Sequence, residues 1–350
     1  MEEQADDMLS LVLLLTRNVT FAAYSLPGDS DMKYIVDDNI SPLASARKFI
    51  VATWEGGRFE ISDRLNVSDH RVQSDSLADS RPQRISTSWH DYEASVNHVI
   101  SLLNTTEGKV VVSRLKILSD PRLDYSRIVN GIQKMFRAYK NAFRAIYYTP
   151  YTGAWCVCSP ELLLRIDKQS GELHTVALAG TRRDDIVGDW DDKNIREHTY
   201  VSGYIANTLG SIGIKPNIGP RETMATGRIR HILTRISANI GITGNRVPIE
   251  NIVSALHPTP AICGYPVDWS KGVIKEVESH DRECYGGYIA VDDDEMFLSH
   301  VNLRCFAFEP GKCCFWGGGG IMSDSLPETE WNEASLKIDS TLSFIEKELQ

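Results

Sequence analysis

The sequence predicts an α+β fold built on antiparallel sheet and held in one domain, on three observations. Helix-like and strand-like segments follow one another without the regular βαβα alternation of a parallel sheet. Apolar runs from Leu162 to Ile166 and from Leu173 to Ala179 flank a turn at Lys168 to Gly171, which makes a hairpin. After residue 90 no linker-like change of composition interrupts the chain.

Taken in order, Val19 to Tyr24 and Phe49 to Trp54 read as strands separated by the turn-rich Pro27-Gly28-Asp29-Ser30. Ser68 to Ser86 is polar and aperiodic, and reads as a surface loop. Tyr92, Val96, Ile100 and Leu103 recur at helical spacing, and that helix ends near Asn104. Lys109-Val-Val-Val-Ser-Arg114 is β-branched and reads as a buried strand. Ile128, Ile132, Met135, Tyr139, Phe143 and Ile146 mark a second helix, and Ala154 to Cys158 a strand before the hairpin. Helices are then expected over roughly Asp192 to Leu209, Arg228 to Ile240 and Glu328 to Leu349, the last opened by Pro327 in a first-turn position. Strands at Tyr288 to Val291, Met296 to Phe308 and Cys313 to Trp316 complete the set.

At 350 residues the chain can bury a large core. Its net charge of -10 argues against nucleic acid as a partner, since phosphate binding needs a basic surface. A small anion would have to meet local Arg, Lys or metal. The first residues, Met1-Glu-Glu-Gln-Ala-Asp-Asp7, carry acid where a secretory leader carries Lys or Arg. The apolar run Leu11 to Leu15 falls short of the about 20 residues that cross a bilayer. A cytoplasmic location without a membrane partner is therefore expected. Seven cysteines without a C-x-x-C pair read as reduced thiols, with Cys156 and Cys158 pointing the same way along a strand.

Several residues carry possible chemistry. Lys109, at the head of an apolar strand, is either a solvated flank or a desolvated lysine whose burial lowers its pKa for general-base work. Glu161, in Cys158-Ser-Pro-Glu-Leu-Leu-Leu-Arg165, is either an exposed turn acid or a carboxyl kept protonated by apolar surroundings to serve as general acid. Glu330, Glu333 and Lys337 share one stripe of the last helix beside the apolar face of Trp331, Ala334, Ile338, Leu342 and Ile345. Acids in a first turn complement the helix dipole. Alternatively, with Glu197 from another helix, they could hold one hard cation, as Mg²⁺ is held by one or two carboxylates plus water and substrate oxygens. Cys313-Cys-Phe-Trp-Gly-Gly-Gly-Gly-Ile321 is a strand running into four glycines, read either as a tight hairpin or bulge with positive φ, or as bare N–H groups near an anion. Arg304 would be costly to bury without a partner such as a carboxylate ligand. His257-Pro-Thr-Pro-Ala261 is an ordered turn after an apolar helix, and Asp281-Arg282 reads as an ion pair beside a tight strand start at Gly286-Gly287.

In this order these segments resemble the chorismate-binding enzymes, among them isochorismate, salicylate, anthranilate and aminodeoxychorismate synthases. The matching pieces are Lys109 to Arg114, Ser159-Pro-Glu-Leu-Leu-Leu164, Leu178-Ala-Gly-Thr-Arg182, Glu197-His198, Leu256-His-Pro-Thr-Pro-Ala261, Asp281-Arg282, Gly317 to Ile321, and Glu330-Trp-Asn-Glu333 with Lys337. They cover roughly residues 90 to 345, with 1 to 90 less recognisable. The resemblance implies one large domain in which two antiparallel sheets pack together with helices outside. It implies that Glu197 and Glu333 bind Mg²⁺, with Glu330 nearby through water, and that the metal holds the ring carboxylate of chorismate. Arg304 and the backbone of Gly318, Gly319 and Gly320 would take the enolpyruvyl carboxylate, with Thr181, His257 and Lys337 also in the pocket. Such a site answers the charge problem, because a dianion meets a metal, an Arg and lysines inside an acidic protein.

The resemblance also points to a branch. Members that add water carry Lys at the position of Lys109, whereas ammonia users carry Gln, and aminodeoxychorismate synthases place a nucleophilic Lys where this chain has Ala179. Isochorismate synthesis is thus implied, with Lys109 deprotonating the water that attacks C2 and Glu161 protonating the hydroxyl that leaves C4. Salicylate synthase, which goes on to eliminate pyruvate, is the nearest alternative, an anthranilate-type synthase the next, and a non-catalytic binding protein one of a different class. A monomer without a glutaminase subunit is expected, supplying menaquinone or, as the alternative, a catecholate siderophore. Gly317 to Gly320 departs from the usual Gly-Ala-Gly, and His280 stands where an aromatic is common.

Overall fold

The computed structural model describes residues 2–37, 47–62, 84–226, 229–241 and 247–350. The expected surface loop therefore lies largely outside the described residues, from 68 to 83. Among the described residues sixteen strands form two eight-stranded antiparallel sheets. The first contains β1 (Phe21–Ser25), β2 (Lys33–Val36), β5 (Lys109–Ser119), β6 (Phe143–Thr149), β7 (Gly153–Ser159), β12 (Gly264–Tyr265), β15 (Cys305–Glu309) and β16 (Lys312–Ile321). Its order is β12-β5-β16-β15-β7-β6-β1-β2. The second contains β3 (Lys48–Ala52), β4 (Arg58–Ser62), β8 (Leu162–Asp167), β9 (Glu172–Arg183), β10 (Asn217–Thr226), β11 (Ile229–Asn239), β13 (Tyr288–Asp292) and β14 (Met296–Val301), in the order β10-β11-β9-β8-β14-β13-β3-β4.

The helices are α1 (Glu2–Thr16), α2 (Trp89–Leu103), α3 (Tyr125–Ala138), α4 (Asp192–Ser211), α5 (Ile249–Leu256), α6 (Val267–Val277) and α7 (Pro327–Glu346). Among the described residues none is long and apolar enough to cross a membrane. The main core lies where the sheets face each other: Tyr24, Phe143, Tyr147 and Trp155 of one meet Phe49, Leu164, Ala177 and Val291 of the other. A second core beneath α1, α3 and α7 takes Leu15, Ile132, Ile338 and Phe315. Cys156 and Cys158 both point into it, while the neighbours Cys313 and Cys314 point to different cores. All seven thiols are buried and unpaired.

Three expected elements need correction. Where a helix is expected over Arg228 to Ile240, the described residues Ile229–Asn239 form the strand β11. From His231 to Thr234 both of its faces are buried, so its apolar residues do not alternate there and their spacing imitates a helical one. The second helix stops at Ala138, and Phe143 and Ile146 belong to β6, an interior strand buried on both faces. Met296 to Phe308 is two strands in different sheets, broken where Arg304 adopts φ +48°.

That break matters for the site. Among the points where the chain passes from one sheet to the other are the segment between β7 and β8 at Glu161 and the segment between β14 and β15 at Arg304. These two crossings run side by side. The Val301 N–H donates to the Glu161 carbonyl at 3.1 Å, the Cys158 N–H to the Arg304 carbonyl at 3.1 Å, and the Ser159 hydroxyl to the Val301 carbonyl at 2.6 Å.

Candidate active site

A narrow cavity of about 70 Å³ opens at this seam, lined by Glu161, Thr181, Glu197, His231, Arg304, Gly317 to Gly320 and Lys337. A larger one of about 690 Å³ lies between β3, α5 and α6. The chemistry-bearing groups line the smaller or stand directly behind its glycine wall.

Gly317 to Gly320 form neither a hairpin nor a bulge, and none of the four has positive φ. They continue β16, paired residue for residue with Arg114 to Val111 of β5. Glycine is needed there for room. A Cβ on Gly317 would stand 2.7 Å from the Ala334 carbonyl of α7, and one on Gly318 2.7 Å from the Val112 carbonyl. A Cβ on Gly319 would meet Glu330 Oε2 at 3.0 Å, and one on Gly320 would collide with Glu197 Oε1. The bare strand thus lets carboxylates from α4 and α7 come against the sheet. β15 pairs with β16 only as far as Phe315, so among the described residues no strand takes the other edge of the glycines, and this edge borders the cavity.

Lys109 begins β5 and is fully buried; its Nζ donates to Glu197 Oε1 at 2.8 Å. Burial alone would raise the Glu197 carboxyl, but Lys109 holds it below its usual range. Lys337, one turn beyond Glu333, donates to Glu333 Oε1 at 2.7 Å and to the Gly318 carbonyl at 2.8 Å. Glu330 is buried, its Oε1 accepting from Lys193 at 2.5 Å and from Ser325 at 2.7 Å, while Oε2 finds no partner among the described residues. Burial and the neighbouring Glu333 push its carboxyl up to about 7. An unpartnered buried carboxylate oxygen, beside a second carboxylate, on a strand with no side chains, suits a hard cation. Taken alone, the described side chains form no ready-made cluster of three or more ligands.

Glu161 is buried where the chain leaves β7, and burial lifts its carboxyl to about 8 against the opposing pull of Lys109 and Lys337. It is a neutral acid at pH 7. Arg304 is buried with only weak contacts, to Ser340 Oγ at 3.3 Å and His231 Nε2 at 3.4 Å, and makes no ion pair among the described residues. A buried guanidinium with spare donors calls for an anionic ligand. Thr181 follows Gly180, an extra residue in β9 at φ +77° that shifts the register against β11. Its hydroxyl lies 3.3 Å from His231 Nδ1.

His257 is the sequence-predicted site residue that the structure takes elsewhere. Its Nε2 is 2.8 Å from the Gly286 carbonyl, its ring packs edge-on to Tyr288, and it lines the larger cavity. The histidine at the seam is His231, held neutral with its pKa at about 3 by burial and by Arg304. Sequence reading missed it because β11 was read as a helix; a histidine within an apolar run two residues past Ile229 was the available signal. Arg282 also differs from expectation, pairing with Glu278 at 2.6 and 2.8 Å rather than with Asp281. It further donates at 2.8 Å to the carbonyls of Ile262 and Val111, whose residues line the cavity.

Comparison with known proteins agrees with this architecture. Isochorismate synthase 2, chloroplastic, of Arabidopsis thaliana is 27% identical over 282 residues, 73% of this chain and 47% of that protein. Isochorismate synthase EntC of Escherichia coli K12 is 27% identical over 267 residues, 72% of this chain and 66% of that protein. The chain thus spans about half to two thirds of these relatives' length. The solved structure of MenF, the menaquinone-specific isochorismate synthase of Escherichia coli, superposes with a TM-score of 0.72 at 19% identity, covering 95% of this chain and 89% of that one. The family described as chorismate binding enzyme matches residues 46–346, which takes in β3 and β4 as well as everything from α2 to α7, and the chain belongs to that family.

Proposed function

We propose that this chain is an isochorismate synthase, adding water at C2 of chorismate and expelling the C4 hydroxyl. The observation that carries the reading is a pair of buried groups beside one cavity: the Lys109 amine behind Gly320 of its wall, and the Glu161 carboxyl lifted to about 8. Glu161 keeps a proton to give to the leaving hydroxyl. Lys109 donates to Glu197, so the base role requires that it give up that partner before accepting a proton from water. Each such group contributes about 10²–10⁴-fold.

Arg304 and the N–H groups of Gly318 and Gly320 on the free edge, with Gly319 between them, offer donors to a carboxylate, and Thr181 and His231 complete the wall. Lys337 anchors Glu333 and adds positive charge. Glu197 and Glu333, with Glu330 beside them, would hold Mg²⁺, which when bound supplies charge for the ring carboxylate. A substrate of this size needs more room than about 70 Å³, so binding must draw the walls apart. A cytoplasmic monomer of one domain, working without a glutaminase and supplying menaquinone, is the setting we propose.

The test is direct. Purified protein is incubated with chorismate and Mg²⁺, with and without ammonia, and products are separated by chromatography. Isochorismate supports the proposal. Salicylate with pyruvate would assign a salicylate synthase, anthranilate an ammonia-using one, and no turnover a binding protein.

A further inference from the structure

Three lysines and three glutamates pair one to one in this corner of the fold: Lys109 with Glu197 at 2.8 Å, Lys337 with Glu333 at 2.7 Å, and Lys193 with Glu330 at 2.5 Å. The first two lysines already have parts in the reading above. Lys193 has none. It stands in the first turn of α4, one turn before Glu197, is a quarter exposed, and does not line the cavity.

Its contact is specific. Lys193 Nζ and Ser325 Oγ both donate to Oε1 of Glu330. A carboxylate gripped twice through one oxygen has little freedom to rotate. The other oxygen, Oε2, is buried without a partner among the described residues, and it and Glu333 Oε1 face Gly319 together, 3.0 and 3.3 Å from where a Cβ on that glycine would stand. We propose that Lys193 is a positioning residue that presets Glu330 Oε2 as a donor toward a divalent cation shared with Glu333. The proposal rests on reading the carboxylate cluster as a cation site.

Coulomb's law and positioning predict opposite signs. A lysine acting only as a nearby positive charge repels a divalent cation, so its removal tightens binding. A lysine that orients a ligand helps, so its removal loosens binding; outer groups that orient metal ligands are worth about 10–100-fold in affinity. The experiment titrates wild type, Lys193→Met, Lys193→Arg and Glu333→Gln with Mn²⁺, reading free Mn²⁺ by electron paramagnetic resonance. We expect Lys193→Met to weaken binding by at least about tenfold and Lys193→Arg to restore most of it. Unchanged or tighter binding in Lys193→Met overturns the proposal and leaves the cation site standing. Should Lys193→Met not fold, Ser325→Ala removes the other grip on Oε1, and wild-type affinity in that variant overturns it equally. If wild type takes up no Mn²⁺ that Glu333→Gln abolishes, the cation reading itself fails.

Discussion

Burial decides the chemistry of single residues here. Glu161 is a strand-end carboxyl that no cation touches, so desolvation outweighs the more distant Lys109 and Lys337. As its folded pKa lies above the unfolded value, its contribution to stability is complete below about 4.5 and is lost as pH rises through about 8. Activity should follow the same proton: kcat falls as pH rises through about 8, and Glu161→Gln loses about 10²–10⁴-fold together with that limb. A pH–rate profile checks both, and an unchanged alkaline limb in Glu161→Gln would remove the general-acid role. Lys109→Ala should lose turnover to a similar degree while still binding chorismate, measured by calorimetry. Near-normal activity would sink the base assignment.

At the scale of elements, the glycine strand separates two jobs that one motif performs. Gly317 gives way to the α7 backbone, so Gly317→Ala forces sheet and helix apart and should cost about 1–3 kcal/mol of stability, read from urea unfolding. Gly320 gives way to Glu197 instead, a side chain that can move. Gly320→Ala should keep a near-native melting temperature but lose Mn²⁺ affinity and turnover. Equal destabilisation in the two variants would argue that the strand has only a packing role.

At the scale of the molecule, Arg282 ties α6 to the strand and loop beside the cavity. Its guanidinium joins Glu278 at the end of α6 to the carbonyls of Val111 and Ile262, and lies 4.3 Å over Trp54. Arg282→Met leaves Glu278 buried without its main partner, which costs about 3–5 kcal/mol. Because the two sheets share one core, that loss should appear as a single unfolding transition, coincident by tryptophan fluorescence and circular dichroism. Separate transitions would mean that the sheets are independent units.

Much of this was legible in the residues. The amphipathic spacing of α2, α3 and α7 and the β-branched start of β5 follow from period and propensity, which are local. So do the shared stripe of Glu330, Glu333 and Lys337 and the hairpin of β8 and β9. Strands covered on both sides were not legible, since β6 along its length and β11 from His231 to Thr234 bury both faces and lose the alternation by which a strand is recognised. With β11 went His231, and His257 stood in its place.

What the sequence determined alone is the inventory: which helices and strands could form, and which acids, bases and glycines were available. Resemblance to a family then supplied roles. Whether Lys109 is solvated or buried, and whether Glu161 is a turn acid or a neutral one, was decided only by tertiary structure. Desolvation depends on what packs around a group, and here those neighbours come from both sheets and two helices far apart in the chain. The same holds for the glycines, whose purpose is the space they leave for carboxylates on α4 and α7. No local pattern records a distance between segments two hundred residues apart.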